Sequence, residues 1–102
     1  MSDALLNAIH PLLSDRTRLL IMAKIASLNE PISFKELLND LKLSKGNLSS
    51  HMRKLEDADM LSVEKTFINR KPLTTYTCTK KGRQSIKEYL SSVEKMLKMI
   101  DK

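Results

Sequence analysis

A chain of 102 residues has room for one modest hydrophobic core, so we expect residues 1–102 to form a single domain. With 41% hydrophobic and 29% charged residues, two glycines, three prolines and one cysteine, the composition excludes a low-complexity chain and an internal disulfide framework. The net charge of +6 favours a polyanionic partner, with nucleic acid ahead of a membrane.

The N-terminal segment has apolar residues at helical spacing and predicts a helix over residues 3–13 that breaks near Pro11. It has no basic n-region before an apolar stretch, so we expect no signal peptide. No part of the chain approaches the roughly eighteen consecutive apolar residues of a membrane span, so we expect no membrane partner. Together with the lone cysteine, these features predict a cytoplasmic protein.

A second helix is predicted over residues 15–28, capped by Ser14 or Asp15. Its side chains are apolar on nearly all sides, which predicts a helix at the centre of the core. Residues 29–31, Asn-Glu-Pro, end it, and the next two residues, Ile32 and Ser33, suggest a short strand.

Two short helices with a tight turn between them follow. Ser33 can cap a third helix over residues 34–41, and Glu36 completes a capping box with it. After a turn at residues 42–43, Ser44 can cap a fourth helix over residues 45–58.

The pattern then changes to strands. Residues 61–68 and 73–79 are rich in alternating, β-branched and aromatic side chains, and residues 69–72 between them predict the loop of a hairpin. Thr79 can cap a last helix over residues 80–101. A mainly α chain in which two short helices precede a β-hairpin has the order of a winged helix-turn-helix, with a three-helix core and a wing.

The last helix carries a heptad pattern of apolar residues at Ile86, Leu90, Val93, Leu97 and Ile100, flanked by Tyr89. One interpretation is that this seam packs onto its own domain. The other, which we favour because the helix is long for so small a body, is a homodimer formed by segments 1–13 and 80–102. In that interpretation Leu5 and Ile9 of the first helix join the seam at the interface.

Basic residues concentrate on two acid-free stretches, residues 41–55 and 65–83, and the second alone carries six positive charges. When the fourth helix is projected at about 100° per residue, its apolar residues form a core-facing stripe and small or basic residues lie opposite. The stripe is Leu48, Met52 and Leu55; the opposite face is Gly46, Ser50 and Arg53; Asn47, Ser49 and Lys54 flank it, and His51 lies beside the stripe. Such a face suits the DNA major groove.

The stretches Arg16-Thr17-Arg18-Leu19, GNLSSHMRKLE (residues 46–56) and Thr79-Lys80-Lys81-Gly82-Arg83 resemble small winged-helix transcriptional regulators related to the MarR and ArsR groups. The resemblance implies a dimer on duplex DNA, with the fourth helix in the major groove and the wing at the minor groove or backbone. It implies DNA contacts by Ser44, Lys45, Gly46, Asn47, Ser49, Ser50, His51, Arg53, Arg70 and Lys71. The sequence departs from the family at Asp59, where such proteins usually have glycine, the residue that best suits a left-handed backbone conformation after a helix.

No nucleophile with a neighbouring base, phosphate loop or metal-ligand spacing is found, so we expect no enzyme, no catalytic residue, no metal and no cofactor. Cys78 is interpreted as structural; the alternative is a redox-sensing thiol whose pKa nearby basic residues lower. The alternative to DNA binding is a winged helix that binds a partner protein. The sequence assigns no operator sequence, no direction of regulation and no small-molecule effector.

Overall fold

The computed structural model describes residues 2–101, so Met1 and Lys102, at the ends of the two predicted dimerisation segments, lie outside it. The helices and strands, in chain order, are α1 (Ser2–Ala8), a 3₁₀ helix (Pro11–Ser14), α2 (Arg16–Ala26), β1 (Ile32–Ser33), α3 (Phe34–Leu41), α4 (Lys45–Asp57), β2 (Leu61–Ile68), β3 (Lys71–Cys78) and α5 (Lys80–Ile100). The three strands form an antiparallel sheet in the order β1-β3-β2. The predicted winged helix-turn-helix is confirmed.

Short polar side chains begin the helices, as the sequence predicts. Asp15, rather than Ser14, caps α2, and the Ser33 hydroxyl accepts the Glu36 N–H at 3.1 Å in a complete capping box. The predicted break near Pro11 is present: α1 ends at Ala8 and the 3₁₀ helix begins at Pro11. The first N–H groups of that helix have no carbonyl acceptor within it and need one from outside. Nδ1 of His10 supplies it by accepting the Leu12 N–H at 3.2 Å.

The core lies between α2, α3, α4, the body end of the sheet and the first half of α5. Its buried members are Leu13, Ile21, Met22, Ile25, Ile32, Leu37, Leu48, Met52, Leu55, Met60, Leu61, Tyr76 and Ile86. α2 contributes three of these residues, but its Leu20 is 52% exposed. The expectation that α2 is buried on nearly all sides therefore fails at one face.

The hairpin is tighter than the sequence predicts. β2 and β3 pair without interruption as far as Ile68 with Lys71, so the loop is Asn69-Arg70 rather than residues 69–72. Both loop residues have positive φ, 52° and 67°, which is the geometry of a type I′ turn. Pro72 pairs with Phe67 inside the ladder. It is tolerated there because β1 pairs only with Thr75 and Tyr76, which leaves the other edge of β3 unpaired near the tip.

α4 ends at a left-handed residue, as its sequence suggests. Asp59 has φ of 61°, its N–H donates to the Glu56 carbonyl at 2.9 Å, and the Met60 N–H donates to the Leu55 carbonyl at 3.0 Å. These are the two bonds of a Schellman motif, and the buried pair Leu55 and Met60 supplies its apolar contact. Asp59 thus occupies a position that glycine would occupy with less strain.

The start of α5 is fastened to this same turn. The Thr79 hydroxyl donates to the Asp59 carbonyl at 2.7 Å and accepts the Gly82 N–H at 2.9 Å. Gly82 packs so closely on Met60 that an added Cβ would overlap the Met60 carbonyl oxygen. α5 then runs for 21 residues along a molecule whose extents are 57 × 25 × 23 Å, and α1 packs against it. Among the helices of residues 2–101, none is long and apolar enough to cross a membrane.

Candidate nucleic-acid interface

α4 presents the two faces that its sequence predicts. Leu48, Met52 and Leu55 are buried, whereas the opposite face is exposed along its length. That face comprises Gly46, Ser50 and Arg53, with exposed Asn47, Ser49 and Lys54 on the flanks. The apolar stripe fixes the rotation of α4 about its axis, so the small and basic residues are held toward solvent.

The beginning of α4 is open and polar. The Ser44 hydroxyl accepts the Asn47 N–H at 3.2 Å, which leaves the hydroxyl proton able to donate to a phosphate oxygen. Apart from its chain neighbours and the backbone of α4 itself, no atom lies within 4 Å of the position that a Cβ on Gly46 would occupy. Gly46 is therefore not required for packing within the protomer, in contrast to Gly82, and its exposed backbone suits close approach of a ligand.

The wing carries its cations at its tip. Arg70 and Lys71 are exposed, and Arg70 has the φ of 67° that glycine favours at the second position of a type I′ turn. A left-handed residue with a Cβ costs about 1–2 kcal/mol relative to the ordinary backbone conformation. Arginine at this position therefore carries a conformational cost that glycine would avoid.

The cations of α4 and of the wing tip have no acidic partner among the side chains that the structure describes, those of residues 5–101. The ion pairs within that range join Arg18 to Asp15, Lys24 to Asp40 and Lys98 to Glu94. None of them involves the five basic residues at the candidate interface, Lys45, Arg53, Lys54, Arg70 and Lys71. Their charges are thus available to a polyanion without the loss of an internal ion pair.

Comparison with known proteins decides the family. Residues 17–97 match the family model of the winged helix DNA-binding domain, which spans most of the chain. The chain belongs to the winged helix DNA-binding domain family. This is a family of DNA-binding proteins rather than of enzymes, in agreement with the expectation drawn from the sequence.

Individual relatives are similar over nearly the full chain. An uncharacterized protein of Methanocaldococcus jannaschii is 32% identical over 84 residues, which are 82% of this chain and 90% of the relative. The structure of a transcriptional regulator homologue from Pyrococcus horikoshii OT3 has a TM-score of 0.86 at 28% identity, covering 98% of this chain and 99% of that one. A PadR family transcriptional regulator from Eggerthella lenta shares the fold, with a TM-score of 0.70 at 23% identity over 87% of this chain and 84% of its own.

His51, a predicted DNA contact of this winged helix, is half-buried and touches α2. Its Nδ1 lies 3.1 Å from Nη1 of Arg18. Because a guanidinium only donates, Nδ1 is the acceptor, and the neutral ring then carries its proton on Nε2. Arg18 therefore leaves His51 with one N–H that can donate to a phosphate.

Arg18 is a residue that the sequence does not single out for a role. Its Nε donates to the Leu12 carbonyl at 2.7 Å, and its side chain is only 12% exposed beside Asp15. The Asp15 carboxylate accepts the Thr17 and Arg18 N–H groups, and the bond from Arg18 is the main cause of the lowered pKa of Asp15. Arg18 thus connects the 3₁₀ helix, the start of α2 and α4. The sequence points to Arg18 only through the stretch Arg16-Thr17-Arg18-Leu19, which carries part of the family resemblance.

Cys78 and Tyr76 face inward on β3. Burial raises the pKa of the Cys78 thiol, whereas Arg83 lowers it by a smaller amount, so the net shift is upward and does not favour the redox-sensing alternative. The thiol donates to the Thr79 carbonyl at 3.4 Å and lines a pocket of about 230 Å³ with Ile25 and Arg83. Burial also raises the pKa of Tyr76, which belongs to the core.

The heptad seam of α5 divides between the core and solvent. Ile86 is only 3% exposed and lies in the core of its own protomer, and Tyr89 packs against that core. From Leu90 onward the seam is uncovered, with Val93 and Leu97 exposed and Ile100 at 80% exposure. On the first helix and the residue after it, Leu5 and Ile9 are half-buried. An apolar stripe of this length on a helix surface is typical of a helix–helix contact.

Proposed function

We propose that this winged-helix protein is a homodimeric transcriptional regulator that binds double-stranded DNA in a sequence-specific manner. α4 enters the major groove of a pseudo-palindromic operator, and the wing lies at the adjacent minor groove or backbone. The observation that carries the proposal is the set of exposed small and basic residues on α4 and exposed cations at the wing tip, which have no acidic partner among the described side chains of residues 5–101.

The two parts of this surface have different roles. Arg53, Lys54 and Lys71 supply charge that releases counterions from phosphates, which gives affinity without sequence preference. Asn47 and Ser50 offer short hydrogen-bonding side chains on or beside the outward face of α4, where base edges are read. Affinity and specificity are therefore separable by mutation.

Dimerisation is supported by the uncovered half of the α5 seam and by the packing of α1 beside it. A second copy of the chain can cover both seams at once, because a two-fold axis brings the same face of each protomer together. Two recognition helices in such a dimer reach successive major grooves about 34 Å apart. The single domain expected from the sequence would then be one half of the functional unit.

The DNA proposal is tested by selecting bound sequences from random duplexes and titrating the selected duplex by fluorescence anisotropy. Arg53→Ala should flatten the slope of log K against log salt by about 0.9 for each phosphate that the variant no longer neutralises. Asn47→Ala should instead reduce the preference for the selected site over random DNA. Lys95→Ala, which removes one exposed charge from α5, is the matched control and should leave both quantities unchanged. Selection that yields no enriched sequence contradicts the proposal.

The dimer is tested by sedimentation equilibrium. Leu97→Lys places a charge in the uncovered seam and should produce a monomer. Met99→Lys places the same charge on an exposed methionine of α5, about 160° around the helix from Leu97, and should leave the dimer intact. A wild-type protein that sediments as a monomer at micromolar concentration would contradict this part of the proposal and would favour a seam reserved for another protein.

A further inference from the structure

A pocket of about 230 Å³ lies where the end of α2, the end of β3 and the first turn of α5 meet. None of the proposed DNA contacts lines it. Ile25 is buried, Leu28 and Cys78 are half-buried, and all three contribute to its lining. Sites for drug-sized ligands measure roughly 300–1,000 Å³, so this pocket suits a smaller molecule, of the size of a simple metabolite.

Two exposed side chains of opposite charge, Glu30 and Arg83, line the same pocket. They do not pair with each other, and neither belongs to the ion pairs found among the described side chains of residues 5–101. Because the two charged residues are exposed and Ile25 is buried, the charges lie at the mouth and the apolar lining lies deeper. A ligand in this pocket therefore meets a cation, an anion and an apolar surface together.

Each charge has a setting that suits a ligand group of the opposite sign. The Arg83 guanidinium is close enough to the Cys78 thiol to oppose the rise in its pKa, and its planar set of donors matches a carboxylate. Glu30 comes four residues after the end of α2 at Ala26. The C-terminal end of a helix carries a partial negative charge, which favours a bound ammonium group nearby.

We propose that this pocket binds a small zwitterion, an α-amino acid with an apolar side chain. Its carboxylate pairs with Arg83, its ammonium group pairs with Glu30, and its side chain packs against Ile25 and Leu28. A ligand with only one charge leaves the other charged residue without a partner at the pocket mouth. The inference goes beyond DNA binding and does not depend on it.

The test uses Cys78, the only cysteine of the chain, as a reporter inside the pocket. A bound ligand shields the thiol, so its modification by a disulfide reagent slows as the pocket fills. L-Leucine at about 10 mM should slow the reaction at least about twofold, the occupancy given by a Kd of about 10 mM or tighter. L-Alanine should protect less, because its methyl group covers less of the apolar lining. No DNA is present, so failure of the proposed function would leave this result unaffected.

Two analogues of L-leucine that lack one charge show whether both charges are recognised. L-Leucinamide keeps the ammonium group, 4-methylpentanoate keeps the carboxylate, and both keep the side chain of leucine. Each should have a Kd about tenfold weaker than that of L-leucine, since each loses a hydrogen bond between charged groups.

Variants of the two charged residues assign the contacts. Arg83→Gln should abolish the preference for L-leucine over L-leucinamide, and Glu30→Gln should abolish the preference for L-leucine over 4-methylpentanoate. Lys87→Gln removes an exposed charge one turn further along α5, outside the pocket lining, and should keep both preferences. Each rate is compared with that of the same variant without ligand, because Arg83 itself affects the thiol.

Three outcomes would overturn the inference. The first is that L-leucine leaves the rate of Cys78 modification unchanged. The second is that either singly charged analogue protects as well as L-leucine, which would indicate a site for simple carboxylates or amines. The third is that Arg83→Gln and Glu30→Gln both keep the preferences of the wild type, which would place the ligand away from the two charges.

Discussion

Gly46 offers a perturbation that should raise stability and lower function together. Gly46→Ala adds one methyl group near the beginning of α4, on the face opposite Leu48, Met52 and Leu55. Apart from its chain neighbours and the backbone of α4 itself, no atom lies within 4 Å of the new Cβ, so the substitution introduces no steric conflict with the rest of the protomer. Alanine also has a smaller conformational entropy to lose than glycine on entering a helix.

The expected gain in the free energy of unfolding is about 0.4–1 kcal/mol, measured by urea denaturation. DNA affinity should fall, because the methyl group occupies the space into which the groove fits. Overpacking of a close contact costs about 1–3 kcal/mol, which corresponds to a loss of about 5- to 150-fold in affinity. Anisotropy titration with the selected duplex measures it.

Gly82→Ala is the matched substitution, because it replaces the other glycine of the chain by the same residue. Here the new Cβ would overlap the Met60 carbonyl oxygen and come within 3.0 Å of Met22 Cε, so α5 must shift from the turn that follows α4. We expect the free energy of unfolding to decrease by about 1–3 kcal/mol. A Gly46→Ala protein that is less stable than the wild type, or that is more stable and binds DNA equally well, would contradict the proposed role of Gly46.

Four further predictions concern single residues and contacts in the body of the protein. Asp59→Gly should raise the free energy of unfolding by about 1 kcal/mol in urea, since the left-handed backbone no longer carries a Cβ. Arg18→Met and His51→Ala should be non-additive in a double-mutant cycle of stability, by about 0.5–3 kcal/mol, because their side chains meet; additivity would refute the contact. The pKa of Asp15 in the folded protein lies below 3.8, so its ionised carboxylate should stabilise the fold fully above pH 3.8, and this stabilisation should be lost as the pH falls through the folded-state pKa. The melting temperature of Asp15→Asn, measured against pH, should lack this part of the acid dependence. Cys78 should react with a disulfide reagent at neutral pH more slowly than a free cysteine, and equal rates would contradict the raised pKa of its thiol.

Much of the fold could be predicted because local rules and the tertiary structure agree along most of the chain. The caps at Ser33, Ser44 and Thr79 and the apolar stripe of α4 are set by hydrogen-bonding groups and helical periodicity within a few residues of one another. The same holds for the left-handed position at Asp59. The outward face of α4 follows directly from the stripe that lies inward.

At the hairpin, the structure differs from the prediction because its residues are not the ones that their conformations favour. The sequence does not signal the type I′ turn because Arg70 replaces the expected glycine, and Pro72 suggests a loop although the unpaired edge of β3 accommodates it. Leu20 and Cys78 differ from expectation for another reason. Their exposure and the direction of the Cys78 pKa depend on distant elements that pack beside them, which helical periodicity and nearby charges do not reveal.

If α4 and the wing tip of a dimer together bind duplex DNA, the affinity must depend strongly on the salt concentration. The proposed dimer should bind the selected duplex with two protomers per duplex. It would bring ten cations to the DNA, five from each protomer, so neutralisation of even half of that number of phosphates gives a slope of log K against log salt steeper than about −4. In a variant that combines Arg53→Ala with Arg70→Ala, the slope should become less negative by up to about 3.6, because up to four phosphates per dimer are no longer neutralised. A shallow slope in the wild type, or a slope that this variant leaves unchanged, would contradict the assignment of this surface to DNA.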